Sequence, residues 1–109
     1  MSSNAIKLTI YVSDSARHEH KPLHEAIVDL LHDEGIAGAS VIHGSAGYGA
    51  GKQVHTVKIL QLSNDLPVII TAIDRREKIE AVIPALDTLI DRGLMTTEEV
   101  QIIFHRPEH

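Results

Sequence analysis

The chain has 109 residues with a formal net charge of −5 at pH 7, and 43% of its residues are hydrophobic against 23% charged. A chain of this length and composition is expected to fold as one globular domain, residues 1–109, and not to be disordered. The negative charge and the three aromatic residues argue against nucleic acid as a partner, because phosphate backbones attract basic surfaces and unpaired bases stack on aromatic rings.

The number of cysteines and the hydrophobic pattern indicate in which cellular compartment the protein is expected. The chain has no cysteine, which excludes disulfides, thiolate catalysis and cysteine-based zinc sites. Its apolar stretches are all shorter than the ~20 residues that a membrane-spanning helix needs. The first residues, MSSNAIKLTIYV, lack the basic region and the long apolar region of a secretory signal. A cytoplasmic location is therefore expected.

The first half of the chain predicts a strand, a helix and a second strand. Apolar and mixed residues alternate over 6–12, which is the period of a strand. Pro22 suits the first position of a helix, and Gly35 suits its end. Residues 38–44 are predicted as a short strand that leads into a glycine-rich segment. The apolar stripe that predicts the helix consists of Leu23, Ile27, Leu30 and Leu31.

The second half repeats this order. Residues 54–62 are predicted to be extended, and residues 68–74 form a strand that is apolar on both faces. An amphipathic helix follows over 75–91 with Pro84 inside its apolar stripe, and a glycine closes it. Residues 99–105 are predicted as the last strand.

The predicted elements form two βαβ units with right-handed crossovers. Their order is strand, helix, strand, loop, strand, helix and strand. The fold class predicted from this order is α+β, a ferredoxin-like split βαβ sandwich. Its antiparallel sheet would carry both helices on one face.

The other face of this sheet would be left open, yet its residues are not cleanly polar. Strand 68–74 places Val68, Ile70 and Ala72 on one side and Ile69, Thr71 and Ile73 on the other, whereas a half-solvated sheet normally alternates more strictly. An uncovered apolar face implies a partner surface, and closed homo-oligomers are the common solution. The alternative is that the long loop folds back over the face.

The glycine-rich segment HGSAGYGAGKQVH spans residues 43–55. It is not a P-loop, because Ala46 stands where the first glycine is needed and Gln53 follows the lysine. It is not a dinucleotide fingerprint either, because it leads into a strand instead of a helix. Two readings stay open: a flexible hairpin, or a loop that binds an anion with Lys52 and His55 as positive partners.

Eight histidines raise the question of metal binding. His20 and His24 are four residues apart and could share a helix face that binds a divalent metal, or they could be solvated. His43 and His55 flank the glycine-rich segment, where they could face each other or form a cross-strand pair.

The residues that carry catalysis in other proteins do not assemble here. Aspartate and glutamate fall mostly on predicted helix exteriors, and the serines lack the G-x-S-x-G context of a nucleophile. A pair such as His24 with Glu25 has no positioned nucleophile beside it. The sequence therefore favours a binding protein over an enzyme.

Several strings resemble the PII-like signalling superfamily. They are residues 21–56, residues 62–74 (LSNDLPVIITAID), the proline-bearing residues 79–90 (IEAVIPALDTLI) and residues 92–103 (RGLMTTEEVQII). The chain is most similar to the short PII-like group known as domain of unknown function 190, the UPF0166 type, and the likeness spans about residues 5–104.

This resemblance implies a homotrimer whose sheets pack inward, in agreement with the open sheet face. It also implies that a long T-loop covers about residues 44–65. In PII-like proteins this loop is remodelled when small effectors bind in the clefts between subunits, and a partner protein, for example a membrane transporter, reads the result.

The sequence departs from typical PII proteins at the phosphate-binding positions. Their Gly-Asp-Gly-Lys loop is replaced by DRGLMTTEEV, which keeps Gly93 but has no lysine. Arg106 stands alone near the end of the chain, where PII proteins carry several arginines. An adenine nucleotide with fewer phosphates than ATP suits this smaller number of cations.

The leading hypothesis is a PII-like regulatory protein that binds a small effector, an adenine nucleotide, between subunits. The alternative is a metal-binding or metal-tolerance trimer of the same fold, with His20 and His24 as candidate ligands of a divalent metal. The candidate effector-binding residues are Gly44, Gly47, Gly49, Gly51, Lys52, His55, Gly93, Thr96, Thr97 and Arg106.

Overall fold

The computed structural model describes residues 5–47, 55–56 and 66–107, with 55–56 described by their backbone. Eight strands and two helices are seen within these ranges. In chain order they are β1 Ala5–Ser13, β2 Arg17–His18, β3 Lys21–Pro22, α1 Leu23–Asp33, β4 Ala39–His43, β5 Ala46–Gly47, β6 His55–Thr56, β7 Pro67–Arg75, α2 Arg76–Leu89 and β8 Leu94–Val100.

The four longer strands form one antiparallel sheet in the order β4-β7-β1-β8. Helix α1 connects β1 to β4 across β7, and α2 connects β7 to β8 across β1. Each helix therefore joins two strands that have one strand between them. This is the split βαβ arrangement, and the predicted ferredoxin-like α+β fold is confirmed.

Both helices pack on the same face of the sheet, because one buried cluster contains alternate residues of β1 and β7 together with the apolar stripes of α1 and α2. Burying one such side chain contributes about 1.5–3 kcal/mol. This layer is the hydrophobic core predicted from the period of the sequence. The members of the cluster are Ile6, Leu8, Ile10, Val12, Leu23, Ile27, Leu31, Ile36, Val68, Ile70, Ala72, Ile79, Val82 and Leu86.

Helix α1 ends at the predicted glycine by a Schellman motif. The Ile36 N–H donates to the Leu31 carbonyl at 3.0 Å, and the Gly35 N–H donates to the His32 carbonyl at 3.1 Å. Gly35 has a φ of +82°, a backbone conformation that glycine adopts without steric cost. The Lys78 ammonium of α2 donates to the Gly35 carbonyl at 2.9 Å and ties this turn to the second helix.

Helix α2 contains Pro84 as predicted and ends at Leu89. Its buried stripe is made of Ile79, Val82 and Leu86, which are spaced by three and four residues. Neither helix of the described ranges is both long and apolar enough to cross a membrane.

The predicted position of the last strand is wrong. The sequence predicts residues 99–105, whereas β8 lies at Leu94–Val100. Its register is set by β1, since Leu94 pairs with Tyr11 and Val100 pairs with Ala5, so the ladder ends where β1 begins. The charged residues of β8 fit because Glu98 faces Lys7, and opposite charges on neighbouring strands stabilise a pair. The apolar run 102–104 lies beyond the sheet and is exposed.

Candidate functional site

An apolar row crosses the sheet face that the helices do not cover. Strand register places one residue of each strand side by side in this row: Ile42, Ile69, Tyr11 and Leu94. Ile42 and Leu94 are each 56% exposed and Tyr11 is 40% exposed. Within the described ranges, the apolar sheet face that the sequence predicts is therefore present, and the alternative of a covering loop concerns residues outside those ranges. We call these four residues the apolar row.

A second row of hydroxyl groups lies directly beside the apolar row. Register gives it one residue from each strand: Ser40, Thr71, Thr9 and Thr96. Thr9 is buried and Thr71 is half-buried, while the two edge residues are exposed. The uncovered face thus combines an apolar band with a band that can donate and accept hydrogen bonds, as interface cores and their surroundings do.

The glycine-rich segment leaves the sheet through a tight contact at its base. The Gly44 N–H donates to the Pro67 carbonyl at 2.8 Å, and the Asp14 N–H donates to the Leu66 carbonyl at 2.8 Å. A Cβ atom at Gly44 would stand 2.7 Å from Cγ of Pro67. The first glycine of the segment is therefore required by a close approach of the backbone to the proline ring.

Beyond this base, β5 and β6 form a two-stranded ribbon in which Gly47 pairs with His55. The predicted extended segment 54–62 is seen as a strand at 55–56, and the rest of it lies outside the described residues. The predicted contacts Gly49, Gly51 and Lys52 also lie outside them. His55 pairs with a glycine of the ribbon instead of with His43.

Gly93 packs against the central strand β1. A Cβ atom at Gly93 would stand 2.6 Å from the Tyr11 carbonyl oxygen and 3.2 Å from Cγ1 of Val12. Contact with a ligand stays a prediction for this residue, whereas its packing against β1 already requires glycine.

A shallow depression of about 270 Å³ opens beside Gly93. Asp87 and Asp91 contribute two carboxylates to its wall, and these repel the phosphates of a nucleotide. Within one chain this depression is therefore a poor anion site. Its lining residues are Leu86, Asp87, Ile90, Asp91, Gly93, Leu94 and Met95.

The remaining predicted contacts lie along β8 and past its end. Thr96 pairs with Thr9 on the uncovered face, while Thr97 pairs with Leu8 and points to the other side. The guanidinium of Arg106 stacks over the Phe104 ring at 4.1 Å from its centroid, a cation–π contact. Because β4 and β8 are opposite edges of the sheet, a single chain does not bring the loop base and these residues together.

Lysine 21 is engaged on the surface of the helical layer. Its ammonium lies 2.6 Å from Oδ2 of Asp29, and this hydrogen bond together with the charge of Asp29 raises the pKa of Lys21 above its usual value. Lys21 therefore stays protonated near neutral pH and is already paired with a carboxylate.

Sequence reasoning missed a polar cluster at the end of the sheet where the glycine-rich segment begins. Asp14 follows β1, His24 lies in the first turn of α1, and His43 ends β4. Among the described residues, these three offer one donor atom each within 4.8 Å of one another.

The predicted pair of His20 and His24 is not formed on a shared helix face. The helix begins at Leu23, and His20 lies in the preceding turn with a φ of 75°. His24 belongs to the cluster with Asp14 and His43 instead.

The fold defines the class of protein. The solved structure of CPII, a nitrogen regulatory PII-like protein from Thiomonas intermedia K12 bound to ADP, AMP and bicarbonate, is similar with a TM-score of 0.69 and 18% identity, over 90% of this chain and 87% of that chain. The divalent ion tolerance protein CutA1 from Ehrlichia chaffeensis is similar with a TM-score of 0.61 and 12% identity, over 97% of this chain and 88% of the other. The chain therefore has the ferredoxin-like fold of PII-like and CutA proteins.

Sequence comparison defines the family within this class. The family model DUF190, described as Uncharacterized ACR, COG1993, matches residues 5–102. A UPF0166 protein from Aquifex aeolicus (strain VF5) is 33% identical over 97 residues, which are 89% of this chain and 91% of the relative. The chain belongs to the DUF190 family, and the predicted resemblance to this family is confirmed.

Proposed function

We propose that this chain is a cytoplasmic regulatory protein that binds an adenine nucleotide in the clefts of a homotrimer and signals to a partner protein through residues 44–65. The observation that carries this proposal is the apolar row, which spans all four strands on the uncovered face. A contiguous exposed row of apolar side chains is typical of an interaction surface, and it suits burial between copies of the chain.

The arrangement of edge strands explains why the site would need more than one copy. The loop base with Gly44 lies at the β4 edge, and Thr96 lies at the β8 edge. Packing of the uncovered faces around a threefold axis would bring the β4 edge of one copy near the β8 edge of the next. The predicted effector contacts would then converge in an intersubunit cleft.

The nucleotide class is supported by chemistry and by the PII-like relative. CPII is described as bound to ADP, AMP and bicarbonate. In this chain, Lys52 and Arg106 are the candidate anion contacts, and the carboxylates of Asp87 and Asp91 near Gly93 disfavour a long phosphate chain. AMP or ADP therefore suits the site better than ATP.

Calorimetric titration of nucleotide-stripped protein with AMP, ADP, ATP and cyclic AMP, with and without Mg²⁺, tests this function. We expect micromolar binding of AMP or ADP, with ATP weaker. The absence of heat from every nucleotide would contradict the nucleotide part of the proposal, while light scattering on the same sample tests the trimer separately.

Substitution Lys52→Ala is expected to weaken nucleotide binding by about tenfold or more, because a sheltered charge-assisted hydrogen bond contributes about 1.5–3 kcal/mol. Lys21→Ala is the matched control, since Lys21 is paired with Asp29 and should leave the affinity unchanged. Equal affinities of the Lys52→Ala and wild-type proteins would remove Lys52 from the site.

A second candidate function is a metal-binding trimer of the same fold. It is favoured by the donor atoms of Asp14, His24 and His43 and by the likeness to a protein described as a divalent ion tolerance protein. A nucleotide sensor and a metal-binding protein are distinguished by titrating the same sample with both ligand classes.

A further inference from the structure

The cluster of Asp14, His24 and His43 follows from the sheet topology. β1 and β4 are both antiparallel to β7, so they run in the same direction and their carboxyl ends lie at the same end of the sheet. Helix α1 starts at that end because it connects the two strands. His43 is in register with Val68 and Val12, which are buried under the helices, so its side chain lies on the helical face beside α1.

The distances leave the cluster open in its centre. Nε2 of His43 is 3.7 Å from Oδ1 of Asp14, which is too long for a hydrogen bond. The rings of His24 and His43 meet edge to face at 87°, with centroids 5.3 Å apart. The three groups thus approach one another without closing a hydrogen-bonded network among themselves.

His24 supplies a second, independent observation. Its Nδ1 atom is buried and has no hydrogen-bond partner in the part of the chain that the structure describes. Leaving a buried polar atom unsatisfied costs about 1–3 kcal/mol, and such atoms in native proteins are commonly explained by an ion or a water. A ligand for this nitrogen would remove the cost.

Two imidazoles and one carboxylate are a donor set of zinc-type centres with three protein ligands and one open position. Nitrogen donors favour such transition metals over Ca²⁺ and Mg²⁺, which take oxygen ligands. Bonds of about 2.0–2.2 Å set tetrahedral donor atoms about 3.3–3.6 Å apart. The donor atoms here lie within 4.8 Å, and the His43 side chain is 56% exposed and can rotate inward.

We propose that Asp14, His24 and His43 bind one divalent transition-metal ion, of the zinc or copper class, and thereby join the end of β1, the start of α1 and the end of β4. The site is formed within one chain, and His43 immediately precedes Gly44 at the base of the glycine-rich segment. Its occupancy does not depend on the proposed nucleotide function.

The test uses untagged, chelator-treated full-length protein, because a polyhistidine tag would itself bind the probe. Titration with ZnCl₂ is followed by calorimetry, and titration with CoCl₂ by visible absorption, which is strong for four-coordinate cobalt. We expect one ion per chain and a rise in the thermal unfolding temperature on binding, because the ion binds the folded state.

His43→Ala and Asp14→Asn are the test variants, and both replace partly exposed side chains so that the fold should persist. Loss of even an outer-shell partner of a metal costs about 10- to 100-fold in affinity, so each variant should weaken binding by at least tenfold. His32→Ala is the control, because its exposed ring lies on α1 beside Asp33 and away from the cluster.

The proposal is overturned if both test variants bind zinc as tightly as the wild type does, or if zinc binds without saturating at one ion per chain. It is also overturned if His32→Ala weakens binding as much as His43→Ala, since zinc would then be held by surface histidines. Circular dichroism of the metal-free variants establishes that a loss of binding is not a loss of fold.

Discussion

Replacing Ile42 with lysine is expected to convert the proposed trimer into monomers. Ile42 is 56% exposed in the single chain, so a lysine there costs little within the fold. In an assembly that covers the apolar row, the same lysine would be buried without a partner. An uncompensated buried charge costs about 3–5 kcal/mol, and threefold symmetry repeats that cost at every interface.

Light scattering after size exclusion measures this effect. The matched control is Val41→Lys, because Val41 is the neighbouring residue of β4, points to the opposite face and is 36% exposed. We expect Val41→Lys to stay trimeric and Ile42→Lys to elute as a monomer. A monomeric wild type, or a trimeric Ile42→Lys protein, would contradict the proposed use of this face.

Replacing Gly93 with alanine is expected to destabilise the chain by about 1–3 kcal/mol, the usual cost of forcing an extra group into a packed region. The added Cβ would stand 2.6 Å from the Tyr11 carbonyl oxygen, and Tyr11 belongs to a strand that is paired on both sides. The backbone therefore has little room to move. For a domain of this size, the unfolding temperature should fall by roughly 4–8 °C per kcal/mol.

Urea or thermal unfolding measures this loss, and Gly38→Ala is the control. Apart from its two chain neighbours, no atom of the described residues lies within 4 Å of a Cβ built at Gly38, so that substitution should change stability by less than about 0.5 kcal/mol. If Gly93→Ala is as stable as the wild type but binds nucleotide more weakly, then Gly93 is a ligand contact and not a packing position.

Local patterns predicted most of the fold because each one has a direct physical cause. The alternation in β1, the stripe of α1 and the glycine after it correspond to burial on one face and to a Schellman end. The last strand was misplaced because hydrophobicity favoured the apolar run 102–104. Pairing with β1 selected the charged segment Leu94–Val100 instead, and pairing partners are not visible in a local pattern.

The cluster of Asp14, His24 and His43 could not be found by spacing, because its members lie in three separate parts of the sequence. It could be found from topology, because a βαβ unit places three points at the same end of the sheet. They are the end of its first strand, the start of its helix and the end of its second strand. A spacing of four residues indicates neighbours along a single helix, and it therefore pairs His24 with His20 instead of with Asp14 and His43.

The carboxylates of β8 also influence how copies of the chain can meet. β8 is an outer strand of the sheet, and its residues Glu98 and Glu99 are exposed, with Glu99 held 2.6 Å from the guanidinium of Arg76. A second β8 strand aligned against this margin would bring acidic side chains into close proximity, and like charges on neighbouring strands repel. This repulsion disfavours the side-by-side pairing of β8 strands from different copies, which would extend the sheets into fibrils.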